Sequence, residues 1–135
     1  MDDHPFMRAG LAQLIEKQPG MTVCGEAGDP AAAMSELAKG GVDLVLSDIT
    51  MPGRGGIEFI KDVLALHPEL PILVVSMHDE VIYAERVLRA GARGYIMKRE
   101  TTKKIVDAIR EVLEGKLYVS DQIAALFAEK FVDRR

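Results

Sequence analysis

Three polar residues in this sequence each stand where an apolar run ends: Asp48, Ser76 and Lys98. An acidic doublet, Asp2-Asp3, lies directly before the first predicted helix. If the apolar runs are neighbouring strands of a parallel sheet, their carboxyl ends meet at one edge, where active groups of such sheets gather. Folding would then bring three carboxylates, one hydroxyl and one ammonium group together.

That set of groups suits the transfer of a phosphoryl group to a carboxylate. Clustered carboxylates repel one another unless a hard cation neutralises them, and Mg²⁺ with oxygen ligands and retained waters does so. A carboxylate beside the metal can attack phosphorus and form an aspartyl phosphate, while the metal, the ammonium and the hydroxyl stabilise the phosphoryl oxygens. No group near this set is expected to be a dedicated general base for water, which favours a phosphoryl acceptor over an enzyme with rapid turnover.

Each of these residues also has an ordinary structural explanation. A terminal acidic doublet is most often solvated surface, Asp48 could cap the loop that follows it, and a serine after a strand is usually a turn residue. Their conjunction at successive strand ends favours a site, because chance supplies such a conjunction rarely.

Alternating elements must position these groups. Helical periods are predicted over 5–17, 30–39, 57–66, 80–90 and 102–114, and short strands over 21–24, 42–47, 72–75 and 94–97. The later strands are apolar without alternation, as in sheets that are covered on both faces. We therefore predict an α/β fold built on a doubly wound parallel sheet.

Composition restricts the class of protein. The chain has 135 residues, 48% of them hydrophobic, and 17 Lys+Arg against 21 Asp+Glu give a net charge of −4. A nucleic-acid-binding domain usually has a basic excess, so we do not expect these residues to bind DNA themselves. The single cysteine, Cys24, excludes an intramolecular disulfide, and we expect it to fill the core. No apolar run approaches the roughly 20 residues that span a bilayer. We expect no signal peptide, because the N-terminal residues are acidic and lack an apolar region, and we predict a cytoplasmic protein without membrane contact.

Four motifs in order resemble the receiver domain of bacterial response regulators, and more narrowly that of LuxR-type transcription factors. They are Asp2-Asp3-His4-Pro5, Asp48-Ile49-Thr50-Met51-Pro52-Gly53, Ser76-Met77-His78-Asp79 and the run from Ala90 to Lys98. The likeness covers residues 2 to about 115. It implies a flavodoxin-like receiver fold of five strands in the order 2-1-3-4-5, whose first strand, before Asp2, is missing here. We expect this to reflect a truncated or alternative start, or a strand supplied by another segment or chain.

The resemblance implies an acceptor and a metal site. Asp48 would accept the phosphoryl group, with a histidine kinase as the donor. Asp2 and Asp3 would bind Mg²⁺ together with the Asp48 carboxylate and the backbone carbonyl of Thr50.

The resemblance also implies a switch. Ser76 would be the switch hydroxyl, Lys98 the ion-pair partner of the phosphoryl group, and Tyr95 the aromatic switch. Phosphorylation would draw Ser76 inward and let Tyr95 reorient. The surface formed by the predicted helix over 80–90, the strand over 94–97 and the helix over 102–114 would then change its preferred partner.

Two segments are expected: a receiver domain over 1–116 and a linker over 117–135 with one further helix over 120–132. That helix would begin at Ser120, and its apolar face consists of Ile123, Leu126, Phe127 and Phe131. The helix, or the switch surface, could form a homodimer, although packing of the helix on its own domain is equally possible. In LuxR-type regulators a DNA-binding helix-turn-helix domain would follow after Arg135, so DNA contact would lie outside this chain.

Two other functions stay open. Aspartate-nucleophile phosphohydrolases also use an Asp, a Ser or Thr and a Lys at strand ends, but they need a second Asp two residues after the nucleophile. Thr50 stands at that position, which argues against this class. The other alternative is a degenerate receiver that serves only as a protein-interaction module, which the missing strand favours and the intact Asp48, Ser76 and Lys98 oppose.

Overall fold

The computed structural model describes residues 5–48, 55–76, 81–98, 101–119, 123–125 and 128. Three parallel strands lie side by side in the order β1-β2-β3: β1 (Val45–Asp48), β2 (Ile72–Ser76) and β3 (Gly94–Met97). Five helices accompany them: α1 (Pro5–Glu16), α2 (Pro30–Ala38), α3 (Gly55–Leu66), α4 (Val81–Arg89) and α5 (Thr101–Leu113). The parallel sheet and the five helices expected from the sequence are confirmed.

Local signals explain the helix ends. The Asp29 side chain accepts a hydrogen bond from the Ala32 N–H at 2.8 Å, and Pro30 takes the first helical position of α2, where its missing N–H costs nothing. The longest helix in the described ranges, α5, has 13 residues. Within those ranges no helix is both long and apolar enough to cross a membrane.

Both faces of the sheet are covered, which makes the fold doubly wound. One core cluster joins alternate strand residues to α1 and α5, and includes Leu73, Val75, Ile96, Ile105 and Ile109. The other lies against α2, α3 and α4, and includes Val45, Val74, Tyr95, Phe59 and Val87. All five residues of β2 are buried. A central strand with helices on both sides has no polar face, and this is why its sequence does not alternate.

The strand predicted over 21–24 is wrong. These residues adopt no regular structure, and a groove of about 460 Å³ lies between them and residues 42–46. Neighbouring strands must approach to roughly 4.8 Å to exchange backbone hydrogen bonds, and a groove of this size prevents that approach. Cys24 is exposed, so the prediction that it fills the core is also wrong.

The strand predicted over 42–47 is displaced in the structure. It begins three residues later and ends one residue later, as β1 (Val45–Asp48). Asp48 is therefore the last residue of the strand itself, where the sheet fixes its backbone.

The chain beyond α5 returns to the sheet. Tyr118 forms a parallel bridge with Gly94 at the outer edge of β3, and Ile123 is buried in the core. Residues 123–125 are helical, in agreement with the helix predicted over 120–132. Ile123, the described member of the predicted apolar face, packs on this chain's own domain; Leu126, Phe127 and Phe131 lie outside the described residues.

Gly91→Ala tests the turn between α4 and β3. Gly91 has φ +116°, and a Cβ there would overlap the Leu64 side chain. We expect the free energy of unfolding to fall by about 2–3 kcal/mol, of which roughly 1 kcal/mol is left-handed backbone strain and the rest overpacking. Gly115→Ala is the matched control, because Gly115 has φ +88° with nothing within 4 Å, so backbone strain alone applies. Equal losses in urea denaturation of the two variants would refute the contact with Leu64.

Candidate functional site

The carboxyl edge of the sheet carries the polar residues predicted from the sequence. Asp48 ends β1, Ser76 ends β2 and Lys98 directly follows β3. The register pairs Asp48 with Val75 and Ser76 with Met97, so each polar residue stands one position further along than its neighbour. The three polar residues therefore lie along a diagonal line across the edge of the sheet, and the register of the strands is enough to place them there.

Asp48 and Lys98 form a buried ion pair. The Lys98 Nζ lies 2.6 Å from Asp48 Oδ2, with the Lys98 side chain 10% exposed and that of Asp48 2% exposed. The contact is an ion pair rather than an aligned hydrogen bond. Two strand spacings, roughly 9.6 Å, separate β1 from β3, so the long lysine side chain passes over β2 to reach the carboxylate.

Ser76 and Tyr95 lie on the other face of the sheet. Side chains alternate along a strand, and Ser76 continues the face of Ile72 and Val74, which is also the face of Tyr95. Both Ser76 and Tyr95 are fully buried. Ser76 therefore lies one register position beyond Asp48 along the edge of the sheet, and its side chain is on the face where the Tyr95 ring packs.

A small cavity beside Asp48 adds residues that the sequence analysis missed. It has a volume of about 80 Å³, and Arg8 of α1, Ser47, Asp48 and Glu26 are among its lining residues. Arg8 Nε lies 3.5 Å from Glu26 Oε1, so an ion pair joins α1 to the segment after it beside the site. The sequence places Ser47 inside the apolar strand predicted over 42–47. Its hydroxyl within that apolar run is the one signal that could have marked it as a site residue.

Ser47 is a buried polar group with an unmet requirement. Its side chain is completely buried, and its Oγ has no hydrogen-bond partner among the described residues. A buried hydroxyl in that state costs about 1–3 kcal/mol.

The cavity has room for several waters, each needing roughly 10–15 Å³. A hard oxygen donor such as Asp48 beside a cavity of that size fits a cation that keeps part of its water shell.

Three predicted metal ligands cannot be placed. Asp2, Asp3 and Thr50 lie outside the described residues, so the predicted Mg²⁺ site is represented by Asp48 alone. Within the described ranges, no group of three His, Cys, Asp or Glu residues is arranged to hold a metal ion. The Mg²⁺ site stays a prediction.

The arrangement can stabilise added negative charge at Asp48. A carboxylate held at a strand end is fixed in position, and an ammonium 2.6 Å away can also attract the oxygens of a group attached to it. Burial excludes water from the carboxylate, which strengthens the electrostatic interaction. These properties suit a nucleophile that keeps the group it receives.

The sequence of this chain is similar to those of known proteins. The sequence model of the response regulator receiver domain matches residues 1–110. The response regulator GacA of Pseudomonas viridiflava is 35% identical over 130 residues, covering 96% of this chain and 61% of that protein. The response regulator UvrY of Escherichia coli strain K12 is 34% identical over 128 residues, with 95% and 59% covered. The chain thus spans about three fifths of the length of these curated relatives.

Solved structures agree with the fold. A LuxR-family two-component response regulator from Aurantimonas sp. SI85-9A1 superposes with a TM-score of 0.89 at 37% identity, over 97% of this chain and 94% of that one. The isolated REC domain of RcsB from Salmonella enterica serovar Typhimurium, in the presence of the phosphomimetic BeF3⁻, gives a TM-score of 0.83 at 26% identity, over 93% of each chain. The flavodoxin-like receiver fold expected from the sequence is confirmed.

Lys98→Met tests the ion pair. The variant leaves the Asp48 carboxylate buried without its counter-charge, so we expect the free energy of unfolding at pH 7 to fall by about 3 kcal/mol. The double variant Asp48→Asn/Lys98→Met buries no unbalanced charge and should lose much less. Urea denaturation of both single variants and the double variant completes the cycle. If Lys98→Met cost the same in the Asp48→Asn background as in the wild type, the two groups would not be coupled.

Proposed function

Because the chain belongs to the family of response regulator receiver domains, we propose that it accepts a phosphoryl group on Asp48 from a histidine kinase and switches its partner surface in response. The observation that carries this proposal is the buried ion pair between Asp48 and Lys98 at the carboxyl edge of the sheet. It supplies a fixed carboxylate nucleophile together with a positive charge for the group that the nucleophile receives.

The proposed reaction moves phosphorus from nitrogen to oxygen. A carboxylate oxygen of Asp48 attacks the phosphorus of the kinase's phosphohistidine, the new P–O bond forms and the P–N bond breaks. The histidine nitrogen leaves with the bonding electron pair and takes up a proton. Asp48 needs no general base, because a carboxylate already carries the electron pair that attacks.

Charge compensation is the main contribution of the site. The phosphoryl group brings nearly two negative charges, and Lys98 is already within ion-pair distance of the oxygen atoms to which it attaches. A Mg²⁺ ion held by Asp2, Asp3, Asp48 and the Thr50 backbone carbonyl would supply further positive charge to the phosphoryl oxygens. The oxygen chemistry of Asp48 and the cavity beside it support that ligand set.

The proposed switch uses the second face of the sheet. The Ser76 hydroxyl would move to bond a phosphoryl oxygen, and the space it leaves lies on the face where Tyr95 packs. Tyr95 could then change its rotamer, which alters the surface of α4, β3 and α5. This is a population shift, so the phosphoryl group needs to favour the active form by only a few kcal/mol.

The partners proposed for the whole protein follow from its relatives. Curated relatives carry the names response regulator and, for DegU of Brevibacillus brevis, transcriptional regulatory protein. We propose a homodimer that forms through α4, β3 and α5 or through the helix beyond residue 120, and control of transcription through a DNA-binding domain outside this chain. In this proposal the chain is a regulated acceptor with slow self-dephosphorylation rather than a turnover enzyme.

Phosphoryl acceptance can be read directly by intact mass. With acetyl phosphate and Mg²⁺, we expect the wild type to gain the mass of one phosphoryl group, and Asp48→Asn to gain nothing, because the amide cannot attack phosphorus. A gain that requires Mg²⁺ supports the metal site. A wild type that matches Asp48→Asn would contradict the proposal and favour the degenerate receiver, which serves only as an interaction module.

Ser76→Ala separates acceptance from switching. The variant keeps Asp48 and Lys98, so we expect it to gain the phosphoryl mass. The change in its dimer dissociation constant on adding beryllofluoride should be about tenfold smaller than in the wild type. One hydrogen bond to a charged group, worth roughly 1.5 kcal/mol, accounts for that factor. Ser35→Ala is the control, because it removes an exposed hydroxyl of α2 that does not line the cavity beside Asp48. Analytical ultracentrifugation with and without beryllofluoride measures the shift; an undiminished shift in Ser76→Ala would assign the switch to another group.

A further inference from the structure

The outer edge of β3 is covered by a short piece of the chain that follows α5. We call Leu117–Val119 the edge segment. The Tyr118 N–H donates to the Arg93 carbonyl at 3.0 Å, and the Tyr95 N–H donates to the Tyr118 carbonyl at 2.9 Å. Gly94 lies at the centre of this contact, as the bridge partner of Tyr118.

The contact has the features of a built strand pairing. Tyr118 packs against the core cluster of the α1 and α5 face, whereas Val119 packs against the cluster of the opposite face, as consecutive residues of a strand do. A Cβ at Gly94 would lie 3.3 Å from the Tyr118 carbonyl oxygen and closer still to the side chains of Leu73 and Val112. The absence of a side chain at this position lets the segment approach the strand closely.

The pairing is also short enough to detach. The edge segment makes one bridge to β3, whereas β1 and β2 are joined over four register positions. Leu117 is exposed, and Ile123 is the described apolar anchor further along the chain, buried in the cluster that contains Tyr95. The edge segment therefore pairs with β3 over a shorter length than the strands pair with one another, and local opening below the global unfolding free energy favours such short pairings.

One strand connects this contact to the phosphorylation site. β3 is four residues long; Tyr95, near its start, donates to the edge segment, and Lys98, directly after its end, pairs with Asp48. Tyr95 takes part in both the backbone bond to Tyr118 and the core cluster that receives Ile123. The edge segment also pairs with β3, which belongs to the surface that the proposed function assigns to partner binding.

We propose that the edge segment is a detachable cover of the β3 edge, docked while Asp48 is unmodified and released when Asp48 is phosphorylated. Release frees the β3 edge and, at the same time, the chain that leads away from the domain. The phosphorylation state is thereby reported through the position of this segment. This inference rests on the proposed function, since it takes phosphorylation of Asp48 as its trigger.

Residue-resolved amide hydrogen exchange on the whole 135-residue chain tests the cover. The reporter amides are those of Tyr95 and Tyr118, which bond across the contact; the control amides are those of Arg93 and Val45, which donate to the Ile72 and Pro71 carbonyls inside the sheet region. With Mg²⁺ and beryllofluoride, we expect the reporter amides to exchange at least tenfold faster and the control amides to stay unchanged. Unchanged reporter amides in a protein whose mass shows the phosphoryl gain with acetyl phosphate would overturn the cover while leaving the proposed function standing.

A pair of variants tests the anchor without phosphorylation. Ile123→Ser removes the buried anchor and should raise exchange of the reporter amides tenfold in the unmodified protein, with little further rise on adding beryllofluoride. Ala124→Ser makes a similar change at an exposed neighbour and should leave exchange as in the wild type. If the Arg93 and Val45 amides also lost protection in Ile123→Ser, the variant would be destabilised as a whole. The exchange of the wild type with and without beryllofluoride would then be the test of the cover. Reporter amides that stay protected in Ile123→Ser while the control amides hold would overturn the anchor. A wild type that takes up no phosphoryl mass would overturn both proposals together.

Discussion

The functional site depends on one constraint: the Asp48 carboxylate and the Lys98 ammonium, which come from the two strands that flank β2, are held 2.6 Å apart and almost without solvent. Desolvating both charges costs about as much as their attraction returns, so such a pair adds little net stability. Removing one charge alone is expensive, which makes the pair sensitive to any change of charge at Asp48. The proposed phosphoryl group on Asp48 would therefore disturb the balance of charge at this pair.

The sheet makes that constraint possible. β2 is buried on both faces and has no polar side chain until Ser76, so the strand between Asp48 and Lys98 is apolar up to the edge of the sheet. Helices on both faces bury the apolar side chains of the three strands. Residues 21–24, by contrast, line a groove beside β1 and form no strand. Pairing is a property of two edges, and a sequence that favours a strand cannot form one alone.

The groups of the proposed acceptor site and those of the proposed switch lie on different faces of the sheet. Asp48 and Lys98 share the face of α1 and α5, while Ser76 and Tyr95 share the face of α2, α3 and α4. A change at the first face can reach the second through the backbone of short strands whose residues alternate between the two. The edge segment then lies against β3 from outside, with one residue packed on each face, so a single strand connects charge at Asp48 to the chain beyond α5.

The sequence by itself determined the helices, the parallel strands and the gathering of Asp48, Ser76 and Lys98, because apolar periodicity and strand ends are local properties that burial then enforces. Gly94–Met97 was predicted to the residue, since an uninterrupted apolar run between a glycine and a lysine leaves little choice. Only the tertiary structure decided that residues 21–24 stay unpaired, that Ser47 and Arg8 line the site and that Tyr118 closes the edge of β3. These outcomes rest on contacts between segments far apart in the chain, and no local pattern encodes which edge meets which partner.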